Sequence, residues 1–275
     1  MSPSGGSGRL TTARRGKNVC MRHPAARILN ALTYLPERQV LQTPAAVGLD
    51  YTDLSLRTDD GETLHAWWLP APRPIGHVLF AHGNAGNLGD RVAIFALLVA
   101  AGFDVLAFDY RGYGRSTGRP SEHGTYLDAR AARTALLARP EVDPNRVLYL
   151  GKSLGGGVLL ELSEAHPPAG LVLMSTFTGI RDAAGSIYPF LPRPLIPDAY
   201  PNLRRITGLT APVLIMHGDQ DELLPLRNAE RLYAAAPEPK RLVVVPGGGH
   251  NDLIALLGAE WPATLRAWAT EILAD

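Results

Sequence analysis

Residues 146–160, RVLYLGKSLGGGVLL, constrain the chain more than any other stretch. A short apolar run at 147–150 has strand length, breaks into glycine, and resumes with a helix-like pattern. Ser153 stands at the break, inside Gly151-Lys152-Ser153-Leu154-Gly155. Glycine two residues to either side suits a sharp strand-to-helix turn, because a Cβ there would collide with neighbouring backbone. Such a turn lifts the hydroxyl above the sheet, beside the first N–H groups of the new helix, which have no partner within it. A serine so placed is either a nucleophile or a structural turn. The nucleophile reading requires the rest of the chain to supply a base, an acid and an oxyanion site.

The surrounding pattern sets the fold class. Residues 53–58 and 63–69 alternate about the turn Asp59-Asp60-Gly61, which reads as a β-hairpin. Continuous apolar strands follow at 77–82, 103–109, 147–150, 171–175, 213–217 and 242–245. Helical patterns lie between them at 91–101, from an N-cap at Ser121 to about 139, after the Ser153 turn to about 166, and at 226–236. Two more close the chain around 252–257 and 262–273. An antiparallel hairpin followed by alternating apolar strands and helices predicts an α/β protein, its sheet mostly parallel and covered on both faces. One segment interrupts the alternation. Residues 177–209 carry Pro189, Pro192, Pro194, Pro197 and Pro201 and are too long for an ordinary connection, so a small cap-like insertion is expected over about 178–208.

At 275 residues one domain can bury a large core, here expected over 26–275. The net charge of +1 gives no sign of a nucleic-acid partner. The basic residues are uneven, because Arg9, Arg14, Arg15, Lys17, Arg22 and Arg27 all precede the first acid, Glu37. Residues 1–25 are expected to be a disordered extension, with Met21 a second plausible start; contact with a membrane surface through this segment is the lesser reading. A short amphipathic helix packing on the domain is expected at 27–35, ending at Pro36. The single cysteine, Cys20, rules out an internal disulfide and a cysteine-ligated metal, and it fits the cytoplasm as the expected location. No apolar run approaches the roughly 20 residues that span a bilayer.

The chemistry concentrates at strand ends, where open parallel sheets form their sites. Four are unusual: His82-Gly83-Asn84-Ala85-Gly86-Asn87, the Ser153 turn, His217-Gly218-Asp219-Gln220-Asp221, and Gly247-Gly248-Gly249-His250. A serine hydroxyl needs a base to take its proton as it attacks, and histidine titrates in the right range. His250, on a loop past a strand behind three glycines, is the best placed of the eight histidines; His82 and His217 end strands directly before glycine and read as scaffolding. The acid that orients the imidazole is Asp221 or Asp219. Asp221 is favoured because it lies out on the loop, while Asp219 suits a turn-forming role. The oxyanion of acyl transfer needs fixed N–H donors. One is expected from the backbone of Leu154, after the nucleophile, and the other from the backbone of Asn84, whose side chain is expected to brace its loop. Tyr110 to Gly114 read as architecture, with Arg111 in a structural ion pair.

HGNAGN, FDYRGYGRS, GKSLGGG, HGDQDELLP and GGGH together resemble the α/β-hydrolase superfamily, from about residue 45 to the C-terminus. Within it the chain is similar to the branch holding bacterial esterases and Bem46-like proteins. That resemblance implies Ser153, Asp221 and His250 as a catalytic triad, with Asn84 and Leu154 as backbone oxyanion donors. It also implies a cofactor-free, metal-free serine hydrolase acting on a small-molecule ester, and the short, proline-stiffened cap with its modest apolar supply suggests short-to-medium acyl chains. Alternatives are an acyl or protein thioesterase, a lipid hydrolase, and a non-catalytic binding protein of the same fold. Relatives that open epoxides or remove halide carry aspartate at the position of Ser153. Phe177, Tyr188 and Phe190, with Ile187 and Leu191, are candidates for the acyl pocket.

Overall fold

The computed structural model describes residues 30–187, 192 and 196–274. The expected extension at 1–25 and the residues Tyr188, Phe190 and Leu191 lie outside the described residues.

Five apolar runs form the centre of an eight-stranded sheet: β3 (Gly76–Ala81), β4 (Phe103–Phe108), β5 (Val147–Lys152), β6 (Gly170–Met174) and β7 (Val213–Gly218). All are buried from end to end except at Lys152, as strands covered on both faces must be. The hairpin β1 (Thr52–Arg57) and β2 (Thr63–Leu69) adds the antiparallel edge, in register from Thr52 opposite Trp68 to Arg57 opposite Thr63. β8 (Lys240–Val245) is the other edge and is only partly covered. The order is β8-β7-β6-β5-β3-β4-β2-β1. Every pairing is parallel except β1 with β2 and β2 with β4.

Alternation along the strands divides the core into two layers. Tyr149, Leu171, Leu173 and Ile215 face one side, against α2 (Glu122–Leu137), α3 (Leu154–Ala165) and α6 (Arg227–Ala235). Leu148, Leu150, Val172 and Met216 face the other, against α1 (Val92–Ala100) and α7 (Glu260–Ile272), whose Trp261 and Trp268 are buried. α2 starts as its sequence predicts, with the Ser121 hydroxyl accepting the Gly124 N–H at 3.1 Å. In the 178–208 stretch the described residues form α4 (Ile180–Ile187) and α5 (Asn202–Ile206). α5 lies close against α3, where a Cβ on Gly157 would meet the Asn202 side chain.

The N-terminal segment departs from expectation. Helix covers only residues 30–33 of the described chain, and Leu35 and Pro36 then pair in parallel with Ala85 and Gly86. Two forces end the helix early: Pro36 disfavours helical geometry at Leu35, and the Leu35 N–H is drawn to the Asn84 carbonyl at 2.9 Å. Tyr34 is the buried anchor, whereas Leu32 and Leu35 are exposed. Among the described residues no helix is long and apolar enough to cross a membrane.

The strand order places the site. The chain goes from β3 to β4 on one side, then crosses over β3 to lay β5 on its other side. Loops leaving the carboxyl ends of β3 and β5 therefore diverge and leave a crevice between them. These are the loops that carry Asn84 and Ser153.

Candidate active site

Ser153 sits between β5 and α3 with φ 52° and ψ −113°, a backbone region that residues with a side chain seldom occupy, at a cost of roughly 1–3 kcal/mol. The surroundings hold it there. Its N–H donates to the Met174 carbonyl at 2.8 Å and its carbonyl accepts from the Gly156 N–H at 3.1 Å. A Cβ on Gly151 would lie 2.5 Å from the backbone of Gly155, and one on Gly155 would overlap the Ala81 carbonyl. Both flanking glycines are thus spacing requirements of the turn. Gly155→Ala is expected to destabilise the fold by about 3 kcal/mol, read as a lower urea midpoint; an unchanged midpoint would show that β3 can yield.

The loops after β7 and β8 bring the other two residues to Ser153. His250 Nε2 lies 3.2 Å from Ser153 Oγ, and His250 Nδ1 lies 2.8 Å from Asp221 Oδ2. All three are buried, Ser153 at 8 % exposure. Asp221 Oδ1 accepts N–H bonds from Leu223 at 3.0 Å and Leu224 at 2.7 Å, which fixes the carboxylate plane. His217 lies behind the acid. Its Nε2 is 2.6 Å from the Leu224 carbonyl and 3.3 Å from Asp221 Oδ2, so this nitrogen carries the proton in the neutral ring. Burial by itself would raise the Asp221 carboxyl, but hydrogen bonds from His217 and His250 outweigh it and hold the group well below the usual carboxylate range.

Asp219 is not the acid that pairs with His250, whose Nδ1 meets Asp221. Asp219 is exposed, and its Oδ1 accepts the Gly247 N–H at 2.7 Å. It therefore ties the acid loop to the histidine loop, where bonds within its own turn were expected. Gly218 and Gly248 make the same junction by contact: a Cβ on Gly218 would overlap the Gly248 carbonyl, and the Gln220 N–H donates to that carbonyl at 2.9 Å. Two hydrogen bonds and the close approach of Gly218 to Gly248 thus join the two loops.

The candidate oxyanion donors flank the serine. Leu154 is the first residue of α3, where the N–H has no partner within the helix. Asn84 follows β3, and its carbonyl is held twice, by the Leu35 N–H at 2.9 Å and the Tyr113 hydroxyl at 2.7 Å. Tyr110 donates to the His82 carbonyl at 2.8 Å, so the tyrosine loop is architecture, as its sequence suggests. The loop brace expected of the Asn84 side chain is supplied by Asn87, which accepts the Gly89 N–H at 2.8 Å and donates to the Gln39 carbonyl at 2.8 Å. Arg111 makes the expected structural pairs, 2.7 Å to Asp60 and 2.8 Å to Asp128.

Lys152, which the sequence did not mark, bridges the turn to the base. Its Nζ donates to Asn251 Oδ1 at 3.0 Å, one residue past His250. Burial, and next the charge of Arg91, push the ammonium down to about 8, against the pull of Asp221 and Asp252.

The serine opens on a mainly apolar cavity whose lining also includes Asn84, Leu154 and His250. Phe177 lines it as expected, and Tyr188 and Phe190 lie outside the described residues. Sequence reasoning missed the other walls: Ile180, Ala183 and Ala184 of α4, Leu223 and Leu224 of the acid loop, and Leu32 and Thr33 of the N-terminal segment.

A mostly parallel sheet wrapped by helices, with a serine, an acid and a histidine in the loops after β5, β7 and β8, defines the α/β-hydrolase fold, and the chain belongs to that superfamily. The family described as serine aminopeptidase S33 matches residues 72–205. An uncharacterised Mycobacterium tuberculosis protein, Rv2307c, is 42% identical over 245 residues, covering 87% of this chain and 86% of the relative. The Arabidopsis thaliana α/β-hydrolase domain-containing protein WAV2 is 35% identical over 232 residues, covering 76% and 75%. Among solved structures, the Pyrococcus furiosus esterase Pf2001 superposes with a TM-score of 0.74 at 22% identity, over 87% of this chain and 99% of that one. Est1E of Butyrivibrio proteoclasticus, solved with ferulic acid, gives 0.68 at 20% identity, over 81% and 100%. Identities this low speak for the fold alone. The family match and the Arabidopsis relative place the chain among the α/β-hydrolases.

Proposed function

We propose that the protein is a cofactor-free serine esterase that cleaves small carboxylic esters of short-to-medium acyl length through an acyl-enzyme. The reading treats 26–275 as one catalytic domain and 178–208 as its cap. The observation that carries it is the buried chain of contacts from Ser153 through His250 to Asp221, opening on an apolar cavity.

In this mechanism Ser153 Oγ attacks the ester carbonyl carbon while His250 Nε2 takes its proton. Asp221 keeps the imidazole proton on Nδ1 and offsets the imidazolium charge that forms. The negative oxygen of the tetrahedral intermediate is received by the N–H groups of Leu154 and Asn84. Collapse breaks the bond to the alcohol, which leaves with the proton from His250. Water then repeats the sequence on the acyl-serine and releases the acid. The cavity walls near the serine are apolar and suit an acyl chain; they do not distinguish an ester from a thioester leaving atom, which keeps an acyl thioesterase as the second reading.

A fluorophosphonate probe is expected to label the wild type at Ser153, and p-nitrophenyl esters from acetate to decanoate are expected to give a rate maximum at short-to-medium length. Absence of labelling in the folded protein, or equal labelling of Ser153→Ala, would instead favour the non-catalytic binding protein.

A further inference from the structure

The segment ahead of the sheet is fixed to the site on three sides. Leu35 and Pro36 pair with Ala85 and Gly86, immediately after Asn84. The Glu37 carbonyl accepts the Gly114 N–H at 2.9 Å and Arg38 Nη1 donates to the Ser116 carbonyl at 2.6 Å, joining the segment to the loop after β4. The buried Tyr34 hydroxyl lies 2.9 Å from the Tyr200 hydroxyl, which lies 2.8 Å from that of Thr125 on α2. Tyr200 closes the 178–208 stretch on its other side, with its N–H donating to Glu122 at 2.7 Å.

This anchoring uses Tyr34 and the backbone, and it leaves Leu32 and Thr33 free for another role. Leu32 is 37 % exposed, yet both residues line the cavity beside Ser153, together with Ile180 and Ala183 of α4. A leucine that contributes little to the core but faces the cavity at its mouth contributes its apolar area to whatever occupies that cavity.

We propose that Leu32 and Thr33 are specificity-determining residues: the N-terminal segment is a built wall of the acyl pocket, against which a longer acyl chain buries apolar area. The inference rests on the hydrolase reading for its substrate class. Because Tyr34, directly after Thr33, is buried and bonded to Tyr200, volume added at Thr33 is expected to be subtracted from the pocket. Each methylene kept out of the pocket costs about fourfold in binding.

Thr33→Trp is expected to lower the ratio of decanoyl to acetyl ester kcat/KM by about tenfold or more, and Leu32→Ala by about three- to tenfold. The second variant changes a half-exposed side chain and so covers the case in which Thr33→Trp fails to fold, which circular dichroism would reveal. An unchanged ratio in both folded variants overturns the proposal. Pocket occupancy does not need chemistry, so decanoate binding is compared by calorimetry in Ser153→Ala and in Ser153→Ala with Thr33→Trp or Leu32→Ala. About tenfold weaker binding in the Thr33→Trp background supports the wall; equal binding in both, or none to Ser153→Ala, refutes it. A wild type that ignores fluorophosphonate yet shows this binding difference would refute the esterase and leave the wall standing.

Discussion

Ser153→Ala is expected to lower kcat on a p-nitrophenyl ester by about 10⁵-fold or more while leaving the thermal midpoint nearly unchanged. The two halves of this result have separate causes. The hydroxyl is the atom that forms the acyl bond in the proposed mechanism, and it is the Ser153 oxygen that His250 Nε2 meets at 3.2 Å. What survives is the stabilisation from oxyanion donors and binding, roughly 10³–10⁴-fold over water. Stability is spared because alanine keeps the Cβ, so the strained turn at φ 52° is neither relaxed nor worsened. The hydroxyl's recorded partner is His250 Nε2 at 3.2 Å, a long contact whose loss costs about 1 kcal/mol or less. Initial rates and a circular dichroism melt on the same preparation check both halves. A residual rate within tenfold of wild type would move the nucleophile elsewhere.

Asp221→Asn should cost about 10⁴-fold in kcat with a small change in KM. An asparagine oxygen can still accept the Leu223 and Leu224 N–H bonds, so the loop keeps its shape. Its NH2 group, however, faces His250 Nδ1 at the place where Asp221 Oδ2 accepts at 2.8 Å. The imidazole then has reason to carry its proton on Nε2, and a ring so protonated cannot take one from Ser153. The same substitution alters acid stability, with a definite sign. Asp221 is held below its ordinary value in the folded chain, so the stability it adds is complete above the unfolded value of about 4. It is lost as pH falls from there towards the folded value. The stability gap between wild type and variant should therefore be widest near neutral pH and shrink below about pH 4. Urea midpoints at pH 7, 4 and 3 test this, and a gap that widens in acid would contradict the assignment.

The elements that the sequence disclosed best are those whose signal is local. A strand of four apolar residues ending in Gly-Lys-Ser-Leu-Gly specifies its own turn, because the glycines are required by contacts made within a few residues or with the neighbouring strand. The hairpin about Gly61 and the cap at Ser121 are equally self-contained. Asp221 and His250 were legible because each lies on a glycine-bearing loop past a strand, where a core role is excluded. The parts that escaped are those created by distant contact. Lys152 meets Asn251 across 99 residues, and nothing near either marks the other. Asn84 and Asn87 are alike in the motif; only the arrival of residues 37–39 from outside gives Asn87 the bracing task. His217 resembled scaffolding until the fold placed it behind the acid. Leu32 and Thr33 carry no catalytic chemistry, and their role follows wholly from Tyr34 reaching Tyr200.

Those separations bear on when the site exists at all. The Ser153–His250 contact spans 97 residues and the Tyr34–Tyr200 contact 166. Loop closure of that length is unfavourable on its own, so neither contact forms before the strands between its partners have docked. A nascent chain can pair the hairpin that carries Trp67 and still lack both His250 and a closed acyl wall. Turnover therefore reports completion of the whole chain topology, whereas the environment of Trp67 reports an early part of it.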